Sequence, residues 1–291
     1  IYDNSECKDD NIIGFSRSDN NKFYMKKNGA WEETEQIELR DFCNKIGINY
    51  LCTPYDIESF KMLQRMDVNR FKTASADIVD FFLHDAISKT NKDVLISTGM
   101  SDFKDIREVL KIYKGSKAKI SLLHCVSNYP CSDTSLNLNV ITTLRNSFKL
   151  PVGFSDHSKD SKAATLAVAL GARIIEKHFT LDNKMSGPDH FSSADPKTFQ
   201  KYVKLLRETE KLLGSSVKQV QLEEKSIRRI SRKSITAKGN LSKNSRIRLK
   251  DIIMKRPGTG LNGHQLSRVL GKKLKFNIKK NHQIKIKDLI R

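Results

Sequence analysis

Six short, β-rich apolar runs follow one another from Ile46 onward, each ending in a polar tip that leads into a segment with helical periodicity. They read INYLCTP, RFKTAS, DVLISTGM, KISLLHCVS, LPVGFSDHS and ARIIEKHFT. Strands separated by one helix each form a parallel sheet, because parallel neighbours need a crossover connection. The resulting α/β pattern fits an open doubly wound sheet or a (β/α) barrel. No GxGxxG follows any of these runs, which argues against a dinucleotide-binding sheet. Several tips carry reactive side chains, and a closed barrel is the architecture that brings many tips to one mouth, so a TIM-type barrel is the expected fold.

Apolar spacing predicts helices over residues 57–66, 78–88, 103–113 and 160–170, the last ending at Gly171. A further helix opens at Asp195 and Pro196, an N-cap followed by proline at the first helical position, and runs to Gly214. A barrel of eight needs two more strands. Within residues 1–45 only DNIIGFSR and NKFYMKK are candidates, and both are short and polar. The expected organisation is a barrel domain over residues 1–214, a polar linker over 215–230, and a small, mostly β module over 231–291. The runs KSITA, SRIRLKD, IIMKRPG and HQIKIKDLI make up that module.

Composition excludes some classes. Hydrophobic residues at 38% are enough for a packed core. No run approaches the roughly 18 apolar residues of a spanning helix, so no membrane association is expected. The first ten residues lack the pattern of a signal peptide, and the expected location is cytoplasmic. Cys7, Cys43, Cys52, Cys125 and Cys131 form no CxxC pair and are expected as free, mostly buried thiols. The net charge is +20, but residues 217–291 hold 22 Lys/Arg against 4 Asp/Glu, so +18 of it belongs to the C-terminal module. Phe276 is the sole aromatic beside Lys272, Lys273 and Lys275, too little for a stacking platform, which argues against a nucleic-acid partner.

Two histidines, His157 in GFSDHS and His178 in IEKHFT, sit at successive strand tips, where neutral imidazoles can converge on one divalent metal. Asp156, Glu176 and Asp189 are near in sequence to orient them or to bind substrate. Glu176 and His178 are two apart, so both face the same side of their strand. Lys72 lies inside the FKTAS strand, a costly place for an ammonium unless it meets an anion. Ser75, Ser97 and Ser127 are hydroxyls at strand tips, suited to phosphate or to helix capping. Phosphate, carboxylate and metal together suggest a phosphorylated small acid as substrate.

In order along the chain, KTAS, STGM, LLHCVSNYP, VGFSDH, GARIIEKHFT, SGPDH, RKSI and KRPGTG resemble the N-acetylneuraminate (sialic acid) synthase family. The resemblance implies a TIM barrel followed by an antifreeze-like (SAF) domain. It implies condensation of phosphoenolpyruvate with an N-acetylated mannosamine-type sugar, releasing phosphate. On the matching positions it implies His157 and His178 as ligands of manganese or magnesium, with Lys72 and Glu176 catalytic. Thr53, Lys72, Ser75, Ser97, Ser127 and Ser155 match phosphoenolpyruvate contacts, Ser127 standing where some members carry asparagine. Tyr129 and Asp189 match sugar contacts. Arg256 matches an arginine that one subunit places over the other's active site, which implies a domain-swapped homodimer. The family's EIGxNHxG-type and KFQ-type motifs do not occur in residues 1–45, so an N-terminally truncated barrel is expected. The competing expectations are a synthase for a pseudaminic or legionaminic type of sugar, and an inactive fragment whose basic module binds anions.

Overall fold

The computed structural model describes residues 2–3, 12–14, 33–187 and 189–290. The chain divides into two compact units, Ile1–Gly214 and Ser215–Arg291.

In the first unit β1 (Tyr2–Asp3), β2 (Ile12–Gly14) and β3 (Asn49–Leu51) precede β4 (Arg70–Thr73), β5 (Asp93–Ser97), β6 (Ile120–Cys125), β7 (Val152–Asp156) and β8 (Ile174–Lys177). The sheet order is β1-β8-β7-β6-β5-β4, with β4 to β8 mutually parallel and β1 antiparallel against β8. β2 and β3 form a separate parallel pair. All six apolar runs are therefore strands. Ile12–Gly14 falls in DNIIGFSR, whereas NKFYMKK lies outside the described residues.

Helices carry the crossovers: α1 (Glu33–Lys45) before β3, α2 (Ile57–Arg65), α3 (Phe81–Lys89), α4 (Phe103–Ile112), α5 (Asn139–Phe148), α6 (Lys162–Ala169) and α7 (Pro196–Leu213). Their starts are chemically marked. The carboxylates of Asp56, Asp80, Asp102 and Asp195 accept backbone N–H groups of the first turns of α2, α3, α4 and α7. The expected helix over 78–88 is instead a 3₁₀ turn at Ser75–Val79 and then α3, because Asp80 stops the first and caps the second. The helix expected from residue 160 starts at Lys162, where Asp160 Oδ1 accepts the Lys162 N–H at 2.8 Å.

Strand alternation gives the sheet two buried faces. Phe71, Val94, Ile96, Leu122, Val152, Phe154 and Ile175 point outward into the main core with Leu83, Ile87, Val109, Ile141, Leu144 and Leu206 of the helices. The opposite face is concave. Lys72 on β4 and Glu176 on β8 form an ion pair of 3.3 Å, although four inter-strand spacings of about 4.8 Å would separate them in a flat sheet. Below that pair Leu51, Leu95, Leu123 and Ile174 make an apolar floor. Gly153 completes the floor, since a Cβ there would lie 2.5 Å from Ile174 O and 2.6 Å from Leu123 Cδ2. The curled sheet thus has an apolar base and a polar mouth at the strand C-termini.

The described cysteines, Cys43, Cys52, Cys125 and Cys131, are free, and all but Cys52 are buried.

The second unit has its own core of Ile235, Ala237, Ile247, Leu261, Val269, Leu274, Ile278, Ile284 and Leu289. β9 (Ser234–Ala237) and β10 (Ile252–Lys255) pair antiparallel. SRIRLKD and HQIKIKDLI, expected as strands, make isolated bridges instead, such as Arg246↔Lys273, Leu274↔Leu289 and Thr236↔Gln283. The stretch expected to be a linker contains α8 (Glu224–Ser231), rich in charged helix formers and exposed.

Candidate active site

Inward positions on β4 to β8 carry Lys72, Ser97, Cys125, Ser155 and Glu176, the last four each two residues beyond Leu95, Leu123, Gly153 and Ile174 of the floor, and His157 and His178 continue the same alternation at the tips. Their side chains meet at the mouth. The Lys72 and Glu176 side chains are only 7% and 13% exposed, so their pairing is what makes either charge tolerable there. Burial works to raise the Glu176 carboxyl, but the Lys72 ammonium and the Ser155 hydroxyl outweigh it and hold the group below its ordinary value. Glu176 Oε1 faces Lys72, whereas Oε2 is buried without a hydrogen-bond partner among the described residues. Ser97 Oγ is likewise buried and unsatisfied. A ligand or water at the mouth would satisfy both atoms.

His157 Nδ1 lies 2.7 Å from Val126 O, a carbonyl that can only accept, so Nδ1 carries the proton and the neutral ring leaves Nε2 bare. Nε2 is 3.3 Å from Ser155 Oγ. Burial pushes the imidazole down to about 4, which keeps it neutral at physiological pH. His178 stands 5.4 Å away between ring centroids and at 86° to it. Burial lowers His178 too, opposed by the charges of Asp189 and Glu176. Tyr129 closes the group, with its ring 4.1 Å from His157 and 5.1 Å from His178. Among the described residues no set of three or more His, Cys, Asp or Glu is arranged to hold a metal ion. Buried His157, its Nε2 left deprotonated by the carbonyl on Nδ1, and half-buried His178 do fit as a pair of nitrogen donors to a divalent ion whose other ligands come from substrate or water.

Opposite the histidines, Ser75 Oγ receives the Gly99 N–H at 3.0 Å and lies 3.0 Å from Cys125 Sγ. A Cβ on Gly99 would sit 2.3 Å from Ser127 Oγ, 2.7 Å from Ser75 Oγ and 2.8 Å from Cys125 Sγ, so side chains from the β4 and β6 tips close over this glycine at the β5 tip. Thr53 is buried just beyond β3. Asp189 lies near enough for its charge to act on His178 and Tyr129, and its backbone carbonyl accepts the hydroxyls of Ser192 and Ser193. Arg256 belongs to the second unit, exposed, with Nε donating to Ser231 O at 3.0 Å.

One expected site residue is elsewhere. Asp156 points to the helix side of the sheet, where Oδ1 accepts Ser158 N at 2.8 Å and Ser158 Oγ at 2.6 Å. Its Oδ2 accepts Tyr202 OH at 2.7 Å and pairs with Lys177 Nζ at 3.3 Å. Alternation explains it: if His157 and Ser155 face in, Asp156 faces out. Cys125 and Gly99 were missed by sequence reasoning, although Cys125, at an even step from Leu123 in LLHCVS, carried the signal.

The NeuB family model matches residues 2–218. An uncharacterised protein of Methanocaldococcus jannaschii is 40% identical over 96% of this chain and 85% of its own length. An N,N'-diacetyllegionaminic acid synthase of Legionella pneumophila is 38% identical over 88% of this chain and 74% of its own. The crystal structure of an N-acetylneuraminic acid (sialic acid) synthetase from Leptospira borgpetersenii, in complex with citrate, superposes with a TM-score of 0.69 at 34% identity. It covers 75% of this chain and 79% of that one. With the strand-borne mouth and the family match over the same unit, the chain belongs to the NeuB family.

Proposed function

We propose that this chain condenses phosphoenolpyruvate with an N-acetylated mannosamine-type sugar, giving a nonulosonic (sialic-type) acid and inorganic phosphate. The observation that carries the reading is the convergence of the buried Lys72–Glu176 pair and the His157–His178 pair on one mouth of a NeuB-family barrel unit. Lys72 offers a fixed positive charge and N–H donors to the carboxylate and phosphate of the enol phosphate. Ser75, Ser97, Ser127 and Thr53 add hydroxyls at neighbouring tips. Glu176, held ionised and with one bare oxygen, can take a proton from water or a sugar hydroxyl as the carbon–carbon bond forms and phosphate leaves. Tyr129 and Asp189 border the histidine side, where the sugar would lie.

His157 and His178 would hold a divalent ion, manganese or magnesium, which when bound would polarise the aldehyde of the open-chain sugar as a Lewis acid. Arg256 would cover the mouth of a second copy of the chain in a homodimer, with the basic second unit attracting the anionic substrate. A second reading, in which the sugar is of the diacetylated legionaminic type, is favoured by the 38% identical Legionella relative named for that product. Product analysis tests both. Incubation with phosphoenolpyruvate, Mn²⁺ and each of a panel of N-acetylated hexosamines is expected to yield one nine-carbon acid by mass spectrometry. A folded protein that forms none with any sugar contradicts the proposal.

A further inference from the structure

The mouth contains a thiol that neither the resemblance nor the proposed chemistry uses. Cys125 is buried and faces inward from β6, paired in register with Ser155. Its Sγ lies 3.0 Å from Ser75 Oγ, and the Gly99 backbone N–H acts on it as well. Ser75 Oγ also receives the Gly99 N–H at 3.0 Å. A hydroxyl has one proton and two lone pairs, and Gly99 takes one of the pairs. If the thiol donates into the other, the Ser75 proton can only point away from both, toward the open mouth. If Ser75 donates to sulfur instead, that tip has no proton left for an anion. An anionic oxygen in the mouth favours the first arrangement, because it accepts the Ser75 proton far better than sulfur does, and burial keeps the thiol protonated so that it can donate. Nearby, Ser97 Oγ and Glu176 Oε2 are buried without hydrogen-bond partners among the described residues, and polar groups of a ligand would satisfy them.

We propose that Cys125 is a positioning residue that acts through Ser75: its thiol fixes the Ser75 hydroxyl as a donor aimed at an anionic oxygen of the substrate. The inference rests on the reading of this mouth as a site for a carboxylated enol phosphate. Gly99 is part of the device, since any side chain there would push the Ser75, Cys125 and Ser127 tips apart.

The test is a double-mutant cycle read by calorimetric binding of phosphoenolpyruvate to the full chain with Mn²⁺ present, using wild type, Cys125→Ala, Ser75→Ala and the double variant. Cys125→Ala is expected to weaken binding about three- to tenfold, the scale of one hydrogen bond. Cys125→Ser, which keeps a donor, recovers most of the loss. In the Ser75→Ala background Cys125→Ala has no further effect, because the residue it acts through is gone. An equal loss in both backgrounds overturns the inference while leaving the site reading intact. A wild type that does not bind phosphoenolpyruvate overturns the site reading itself. The S–H stretching band, assigned by its loss in Cys125→Ser, supplies a readout that needs no substrate. It is expected at lower frequency in wild type than in Ser75→Ala, and an identical frequency overturns the role of the thiol as donor.

Discussion

Lys72 shows how much one side chain can commit a fold and a site together. Its ammonium is buried against Glu176, so removing it leaves a mostly buried carboxylate without its counter-ion. Lys72→Met is expected to cost about 3–5 kcal/mol of stability by urea denaturation, and Lys72→Met/Glu176→Gln to recover much of it. A loss below about 1 kcal/mol from the single change, within the range of an exposed pair, contradicts the picture. A charged residue inside a β-rich run was legible in the sequence for the same reason that it is costly. His84 was not, because nothing in FFLHDAIS distinguishes a core imidazole from an exposed one. It is buried on α3 with Nδ1 2.9 Å from Tyr113 OH, and burial pushes it from 6.5 down to about 4. Between those values the unfolded chain takes a proton that the folded one refuses. Its contribution to stability is therefore complete above pH 6.5 and lost as pH falls toward 4. The stability slope across that window is expected to flatten in His84→Gln, and an unchanged slope would place the titrating group elsewhere.

At the scale of elements, β7 and β8 are tied behind the histidines by Asp156, Lys177 and Tyr202. Asp156 and Lys177 are register partners with side chains 0% and 4% exposed, and Lys177 Nζ also donates to Ser158 O. The residues that follow them directly are His157 and His178. Lys177→Met is expected to cost about 3–5 kcal/mol and to broaden the imidazole resonances of both histidines. Tyr202→Phe, which removes one hydrogen bond to a charged group, is expected to cost about 1.5–3 kcal/mol. Unchanged histidine resonances in Lys177→Met would show that the tie does not hold the tips. The strands were readable because buried parallel strands are short apolar runs, and α7 because Asp195, Pro196 and Gly214 mark its two ends. α5 was not readable: Val140, Ile141, Thr142 and Thr143 favour strand locally, and the burial of Ile141 and Leu144 against the sheet overrides them. α1 was missed for the opposite reason, since in ETEQIELRDFCNK only Cys43 is buried and the apolar stripe is weak. Register alternation would have sent Asp156 outward and Cys125 inward, but it needed the strand limits to be known first.

For the whole molecule, charge and chemistry fall in different units. The first holds the mouth, and the second holds most of the +20 net charge. If Arg256 of a second copy covers the sugar side, Arg256→Ala is expected to raise KM for the sugar more than KM for phosphoenolpyruvate, and an equal effect on both contradicts that role. The central claim is the joining of an enol phosphate and an amino sugar at the mouth between Lys72 and His178. The measurement that tests it most directly is phosphate release from phosphoenolpyruvate, with sugar and Mn²⁺ supplied together and then each withheld. The account predicts release only when all three are present, and its loss in a folded His178→Ala variant. Release without sugar, or full activity in His178→Ala, would contradict it.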